Sequence, residues 1–208
     1  MDLQKILAGL YTLTGYVYIP KELIERKEPV VLHISDTPYS FFFGLGKLVD
    51  KLRPEYIVHT GDIVDNIKLE LLPKSLPRYE RYAKNLMDIL LKPFVKELYI
   101  SKGNHDDFSV LKAMGLSRVH MEDTAGCIEL EKRKIGYSHY QKNLLDSNDY
   151  IKMFGHDIGS GNEITEDSIY LSGIVSINIV MLSSMKVFHL PYPMGTNDSR
   201  LRRGKLGI

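Results

Sequence analysis

Seven side chains able to bind a divalent cation or move a proton fall just after β-like runs: Asp36 in SDTP, Asp62 in GDIVDN, Asn104, His105 and Asp106 in GNHD, His139 in YSHY and His156 in FGHD. Carboxylate, amide oxygen and neutral imidazole together form the donor set of a Zn, Mn or Fe site. A carboxylate can bridge two cations about 3.5–4 Å apart, and such a pair clamps a phosphoryl group for in-line attack by bound hydroxide. Gly61 and Gly103 precede two of these groups and let the chain turn sharply, so that the next side chain points into a shared site.

The elements that must hold these groups follow from the hydrophobic pattern. PVVLHIS (29–35), EYIVHT (55–60) and KELYIS (96–101) are β-branched or aromatic runs, closed by Asp36 and Pro38, by Gly61-Asp62 and by Gly103-Asn104. Helices are predicted over 2–13, 20–27, 44–53, 77–92 and 107–115, the fourth with Pro77 near its start and Leu86, Ile89 and Leu90 on one face. The second half reads as strands at 127–131, 133–138, 150–154, 168–171 and 174–182. Strand–loop–helix units in the first half imply a parallel sheet, whose ligand sites lie at the carboxyl ends of the strands. Asp36, Asp62 and Asn104 all fall there.

In this order the motifs resemble the calcineurin-like metallophosphoesterase superfamily, whose pattern runs D-x-H, GD-x-x-D, GNH-D/E, a lone His after a strand, and GH-x-H. The resemblance covers roughly residues 29–190. It implies an α/β fold with two mixed β-sheets packed face to face and flanking helices, an αββα sandwich. It also implies a domain plan: a helical lead-in at 1–28, the metallophosphoesterase domain at 29–193 and a basic tail at 194–208. By the family pattern Asp36 binds a first metal and Asp62 bridges two, while Asn104, His139 and His156 complete the second. His105 sits over the substrate phosphate and protonates the leaving oxygen, and Asp106 holds the His105 imidazole in its useful tautomer. The implied activity is hydrolysis of a phosphodiester or nucleotide-type phosphoester by metal-bound hydroxide.

The chain departs from this pattern twice. Pro38 stands where D-x-H has its histidine, and Ile158 stands where GH-x-H has its last one. Both missing histidines belong to the first metal in the family. One tightly held ion (Mn, Zn or Fe) is therefore expected, with a second, weak one (Mg or Mn) on Asp36 and Asp62. Tyr39, Asp65 and Asp157 are the neighbours able to compensate. The losses also favour a rival reading, a catalytically degenerate binding or scaffold protein on the same fold, such as a subunit of retromer; the intact GNHD argues against it. A third reading is a nuclease acting with a partner subunit.

Individually the residues have plainer explanations. Asp36, Asp62 and Asn104 are also common loop and turn residues, and Asp65 and Asn66 shape a loop. His139 also suits a hydrogen-bonded hairpin end, and His33 and His59 suit satisfied positions within strands. Cys127 reads as a small buried hydrophobe. Phe41, Phe42, Phe43 and Gly44 suit core packing or helix entry, and the tail bearing Arg200, Arg202, Arg203 and Lys205 suits a solvated terminus.

Composition limits the alternatives further. The 208 residues carry 27 Lys+Arg against 26 Asp+Glu, a net charge of +1, so no overall field collects nucleic acid or anionic lipid. An apolar content of 44% and a charged content of 25% describe an ordinary folded domain. The one cysteine, Cys127, excludes an intrachain disulfide and a Cys-rich zinc module. The uncharged stretch 6–20 is too short to span a bilayer, and 168–185 alternates as a strand does. The expectation is a cytoplasmic hydrolase acting on a small phosphoester or nucleotide, with no membrane partner and no independent nucleic-acid binding.

Overall fold

The computed structural model describes residues 3–200. In chain order the elements are α1 (Leu3–Leu13), α2 (Lys21–Glu25), β1 (Val30–Ile34), α3 (Phe42–Leu52), β2 (Tyr56–His59), α4 (Leu76–Leu90), β3 (Glu97–Ser101), α5 (Phe108–Ala113), β4 (Val119–Glu122), β5 (Ala125–Leu130), β6 (Arg133–Ser138), β7 (Ile151–Phe154), β8 (Glu163–Ile164), β9 (Ile169–Ser172), β10 (Ile177–Met181), β11 (Val187–Leu190) and α6 (Thr196–Arg200).

They form two mixed sheets, one ordered β11-β10-β1-β2-β3-β4 and the other β5-β6-β7-β9-β8. In the first, β1 to β4 run parallel and β10 is antiparallel to β1, with Val31 opposite Val180. In the second, β6, β7 and β9 run parallel between antiparallel edges. The alternation of side chains along a strand divides the apolar residues between two cores. Leu32, Ile34, Ile57, Leu98 and Ile100 pack against Leu45 and Leu48 of α3 and Leu86 and Leu90 of α4. Val31, Val58, Tyr99 and Val180 face Ile135, Tyr137, Ile151, Met153 and Leu171 of the second sheet. This is the expected arrangement of two mixed sheets packed face to face with flanking helices.

Some local expectations change. The last long strand begins at Ile177 rather than 174, because residues before it turn tightly and Gly173 lies against His33 and Ser35. The strands β4, β8 and β11 and the helix α6 were not expected; each is short, the strands being held by pairing with β3, β9 and β10 and α6 by the bond from Arg200 to the Ile174 carbonyl. Cys127 is exposed rather than buried, on edge strand β5, and its thiol donates to Asp149 Oδ1 at 2.9 Å. Phe41 and Phe42 are core residues, whereas Phe43 is exposed. The tail is not wholly solvated: Arg200 is buried and donates to the Ile174 carbonyl at 2.9 Å. Arg202, Arg203 and Lys205 lie outside the described residues. Among the described residues no helix is long and apolar enough to cross a membrane.

Candidate metal centre

The candidate residues meet where strands of both sheets end. Asp36 follows β1, Asp62 follows β2, Asn104 follows β3, His139 follows β6 and His156 follows β7. Asp36, Asp62 and His156 all adopt the left-handed backbone conformation, at φ 48°, 54° and 44°. That region is costly for residues other than glycine, and such strain persists only where surrounding contacts hold it. The contacts are present: the Asp36 amide donates to the Gly61 carbonyl at 2.9 Å, the Thr37 amide to the Asp62 carbonyl at 3.0 Å, and the His156 amide to Asp36 Oδ2 at 3.2 Å. Two glycines make room. Gly61, at φ 91°, has only 2.6 Å between its would-be Cβ and His139 Nδ1. Gly103 is needed for close approach rather than for an unusual turn, since a Cβ there would overlap the amide and Oδ1 of Asp62.

One ligand atom each from Asp36, Asp62, His139 and His156 falls within a span of 4.8 Å. Asn104 joins them, with its Oδ1 3.2 Å from His139 Nε2. The His139 Nδ1 lies 2.7 Å from the Thr60 carbonyl, an acceptor only, so Nδ1 carries the proton and Nε2 presents its lone pair to the site. Asp62 is buried, and its carboxyl is pushed well above the usual carboxylate range by burial first and then by Asp36, Asp106 and Asp65. Burial, and then the neighbouring His139, holds His156 below the usual histidine range. Crowded buried carboxylates favour a cation among them, and carboxylate, amide oxygen and imidazole together fit a divalent ion.

The His105 amide donates to Asp62 Oδ1 at 2.9 Å. Its side chain is 12% exposed, and Nδ1 lies 3.7 Å from Glu70 Oε2. Burial, followed by the charge of Lys68, pushes its pKa down to about 4. The expected role of Asp106 is corrected. Its Oδ2 accepts from the amides of Asp62 at 2.7 Å and Gly103 at 2.8 Å, and its Oδ1 accepts from the Ile63 amide at 2.9 Å and the Tyr79 hydroxyl at 3.0 Å. These bonds direct the carboxylate into the protein, where it ties the β2 and β3 loops to α4. Asn104 and Glu70 lie beside the His105 ring, and ligand atoms of Asp62 and Asp65 come within 4.8 Å of its own.

Of the three neighbours able to compensate for the lost histidines, only Asp65 reaches the centre. A ligand atom of Asp65 lies within 4.8 Å of those of Asp62 and His105. Tyr39 stacks on Tyr82 at 5.0 Å between ring centres, and Asp157 Oδ2 accepts from the Gln141 amide at 2.7 Å. Pro38 is buried and caps a short turn, while Ile158 is 65% exposed. His33 is a satisfied sheet histidine, bonded to Thr60 and Asn178. His59 bonds Thr37 through Nε2, and its Nδ1 has no partner. Lys68, Glu70 and Tyr140 also border the site, Tyr140 with its hydroxyl 3.4 Å from Asn104 Oδ1. Lys68 and Glu70 lie outside the quoted motifs, whereas Tyr140 closes YSHY, directly after His139.

Several solved structures share this architecture. They include an archaeal phosphodiesterase, 13% identical with a TM-score of 0.53, covering 76% of this chain and 97% of that one. Yfce, a phosphoesterase from E. coli, is 15% identical with a TM-score of 0.49, over 79% and 99% of the two chains. Vps29 from Entamoeba histolytica, complexed with zinc, is 15% identical with a TM-score of 0.46, over 76% and 88%. At 13% identity the likeness to the archaeal phosphodiesterase is one of fold. A comparison with curated protein sequences returns no match. The sequence itself matches the family described as calcineurin-like phosphoesterase over residues 29–203, a span that contains every residue of the centre, and the chain belongs to that family.

Proposed function

We propose that the protein is a metal-dependent phosphoesterase that hydrolyses a phosphodiester or nucleotide-type ester at one tightly held divalent ion. The observation that carries this reading is the convergence of Asp36, Asp62, His139 and His156 within 4.8 Å, with His105 hydrogen-bonded through its amide to Asp62. The chemistry a divalent ion would supply there is Lewis acidity towards phosphoryl oxygens and a lowered pKa of bound water. Asp36, Asp62, Asn104, His139 and His156 would hold it, with Mn, Zn or Fe suiting this mixture of oxygen and nitrogen donors. The loss of ligating atoms at Pro38 and Ile158 leaves only Asp36 and Asp62 to a second ion, too few donors to hold one tightly.

His105 is the group placed to give a proton to the leaving oxygen. Without substrate it is neutral at pH 7, its pKa being about 4. A phosphate brought beside it favours the protonated ring, because opposite charge stabilises the imidazolium. Asp106 acts on this chemistry only by fixing the loops that carry Asp62 and Asn104. A groove of about 470 Å³ opens beside Asn104, lined by Leu69, Glu70, Pro73, Leu76 and Lys102. Its size and mixed walls suit the base or sugar of a nucleotide-sized ester.

The scaffold reading is favoured by one observation, the absence of a ligating atom at Pro38 and Ile158. A panel of phosphomonoesters, phosphodiesters and nucleotides, assayed with Mn, Zn and Mg, decides between the two. The phosphoesterase reading expects metal-dependent turnover that falls about 10²–10⁴-fold in His105→Ala, with the bound metal retained. Absence of turnover with every metal, or an unimpaired His105→Ala, contradicts it.

A further inference from the structure

We propose that Lys68 is a tethered cation of this centre, held by Asp65 and facing the substrate phosphate where a second metal ion would otherwise stand. The inference rests on the phosphoesterase reading for its substrate class, but its own test is a binding measurement. Four features of the β2 loop carry it. Asp65 is fully buried, and its Oδ1 is engaged by the Lys68 ammonium, whose side chain is 21% exposed and so reaches inward from the surface. The other oxygen, Asp65 Oδ2, is buried without a partner among the described residues. A ligand atom of Asp65 lies within 4.8 Å of those of Asp62 and His105, so the pair borders the reacting region rather than the outer surface. The backbone on both sides is pinned: the Asp65 amide donates to the Thr37 carbonyl at 3.1 Å, and the Lys68 carbonyl accepts from the amides of Leu71 at 3.0 Å and Leu72 at 2.8 Å.

The chemistry of the neighbours explains why a cation belongs there. Asp62 lies within 4.8 Å of ligand atoms of Asp36 on one side and of Asp65 on the other, so carboxylates crowd this part of the centre, and Pro38 and Ile158 add no imidazole to it. A second metal ion there would have to draw on the His105 imidazole as well as on carboxylates, and so would take the group that the phosphoesterase reading needs for proton transfer. An ammonium needs no ligand set, only a carboxylate to hold it and an anion to meet, and lysine binds phosphate as a point charge. Asp65 is thus the holder of Lys68 and not a metal ligand. At a one-metal centre, the lysine takes over part of the charge stabilisation that two ions otherwise share.

The test measures binding of inorganic phosphate to the Mn-loaded protein by calorimetry, together with Mn equivalents by elemental analysis. The variants are Lys68→Met, Lys68→Arg and the double Lys68→Met/Asp65→Asn, each checked for folding by circular dichroism. The double variant removes the objection that Lys68→Met merely leaves Asp65 unpaired and repelling the anion. Lys68→Met and the double variant should each weaken phosphate binding by about 10- to 150-fold, the range for a hydrogen bond to a charged group. Lys68→Arg should stay within a few-fold of wild type, and all three should keep the wild-type Mn content. A double variant that binds phosphate like wild type overturns the proposal, because Lys68 would then only neutralise Asp65. Loss of Mn from the double variant also overturns it, by making Asp65 a metal ligand, as does a wild type that does not bind phosphate. Lysine-dependent phosphate binding in a protein that cleaves no ester supports the proposal while contradicting the phosphoesterase reading.

Discussion

Replacing Asp106 by asparagine separates the role the structure gives this residue from the one its position beside His105 suggests. The carboxylate accepts four hydrogen bonds, from the amides of Asp62, Ile63 and Gly103 and from the Tyr79 hydroxyl. Asparagine keeps the shape but has one acceptor atom. An amide nitrogen in place of Oδ2 would face two N–H donors, those of Asp62 and Gly103. In place of Oδ1 it faces the Ile63 amide and a hydroxyl that can rotate to accept. The second orientation is cheaper and leaves one buried donor unpaired, at about 1–3 kcal/mol. The substitution also relieves repulsion, since Asp106 is among the charges that raise the pKa of Asp62. A divalent cation on Asp62 cancels that relief, so the metal-loaded protein is the one to measure. A loss of about 2 kcal/mol in a chain of this length lowers the melting temperature by about 4–8 °C. Asp106→Ala removes all four bonds, at about 4–12 kcal/mol, comparable with the whole stability of a domain. Calorimetric melting of the Mn-loaded proteins reads both. An Asp106→Asn variant that melts like wild type but has lost turnover would refute this reasoning and restore the tautomer-holding role.

Acid should destabilise the protein through His33, whose pKa burial, and then His59, pushes down to about 3. An unfolded histidine takes up a proton near pH 6.5, so this contribution is full above 6.5 and is lost as pH falls towards 3, by up to about 1.4 kcal/mol per unit. Urea unfolding of His33→Gln between pH 7 and 4.5 should show a shallower slope by about one proton; an unchanged slope contradicts the assignment. Gly103→Ala should cost about 1–3 kcal/mol and most of the metal affinity, because its Cβ displaces Asp62. Full Mn binding by a folded Gly103→Ala variant, seen by elemental analysis, would show that the β2 and β3 loops are not packed as described.

Much of this centre is legible in the residues because its framework is local. The runs Val30–Ile34, Tyr56–His59 and Glu97–Ser101 are bounded by turn residues, and Asp36, Asp62 and Asn104 follow them directly. The strands β4 and β11 are harder to see: each has four residues, includes a histidine, and exists through pairing with β3 or β10. Asp106 was misread because adjacency in sequence says nothing about direction. The turn after Gly103 sends the His105 backbone to Asp62 and the Asp106 carboxylate inward to Tyr79, a residue of a helix that no motif connects to the site. Asp65 was visible as part of GD-x-x-D, but its contact with Lys68 depends on a buried geometry that spacing alone does not convey.

The central claim is a single-metal centre, and its most direct measurement is the metal content of the purified protein. Apoprotein prepared with a chelator, reloaded with excess Mn or Zn and passed through gel filtration, should retain one equivalent by elemental analysis. His139→Ala and Asp62→Ala should retain none. Two tightly held equivalents in the wild type would contradict the account, because a second complete ligand set would then exist despite Pro38 and Ile158.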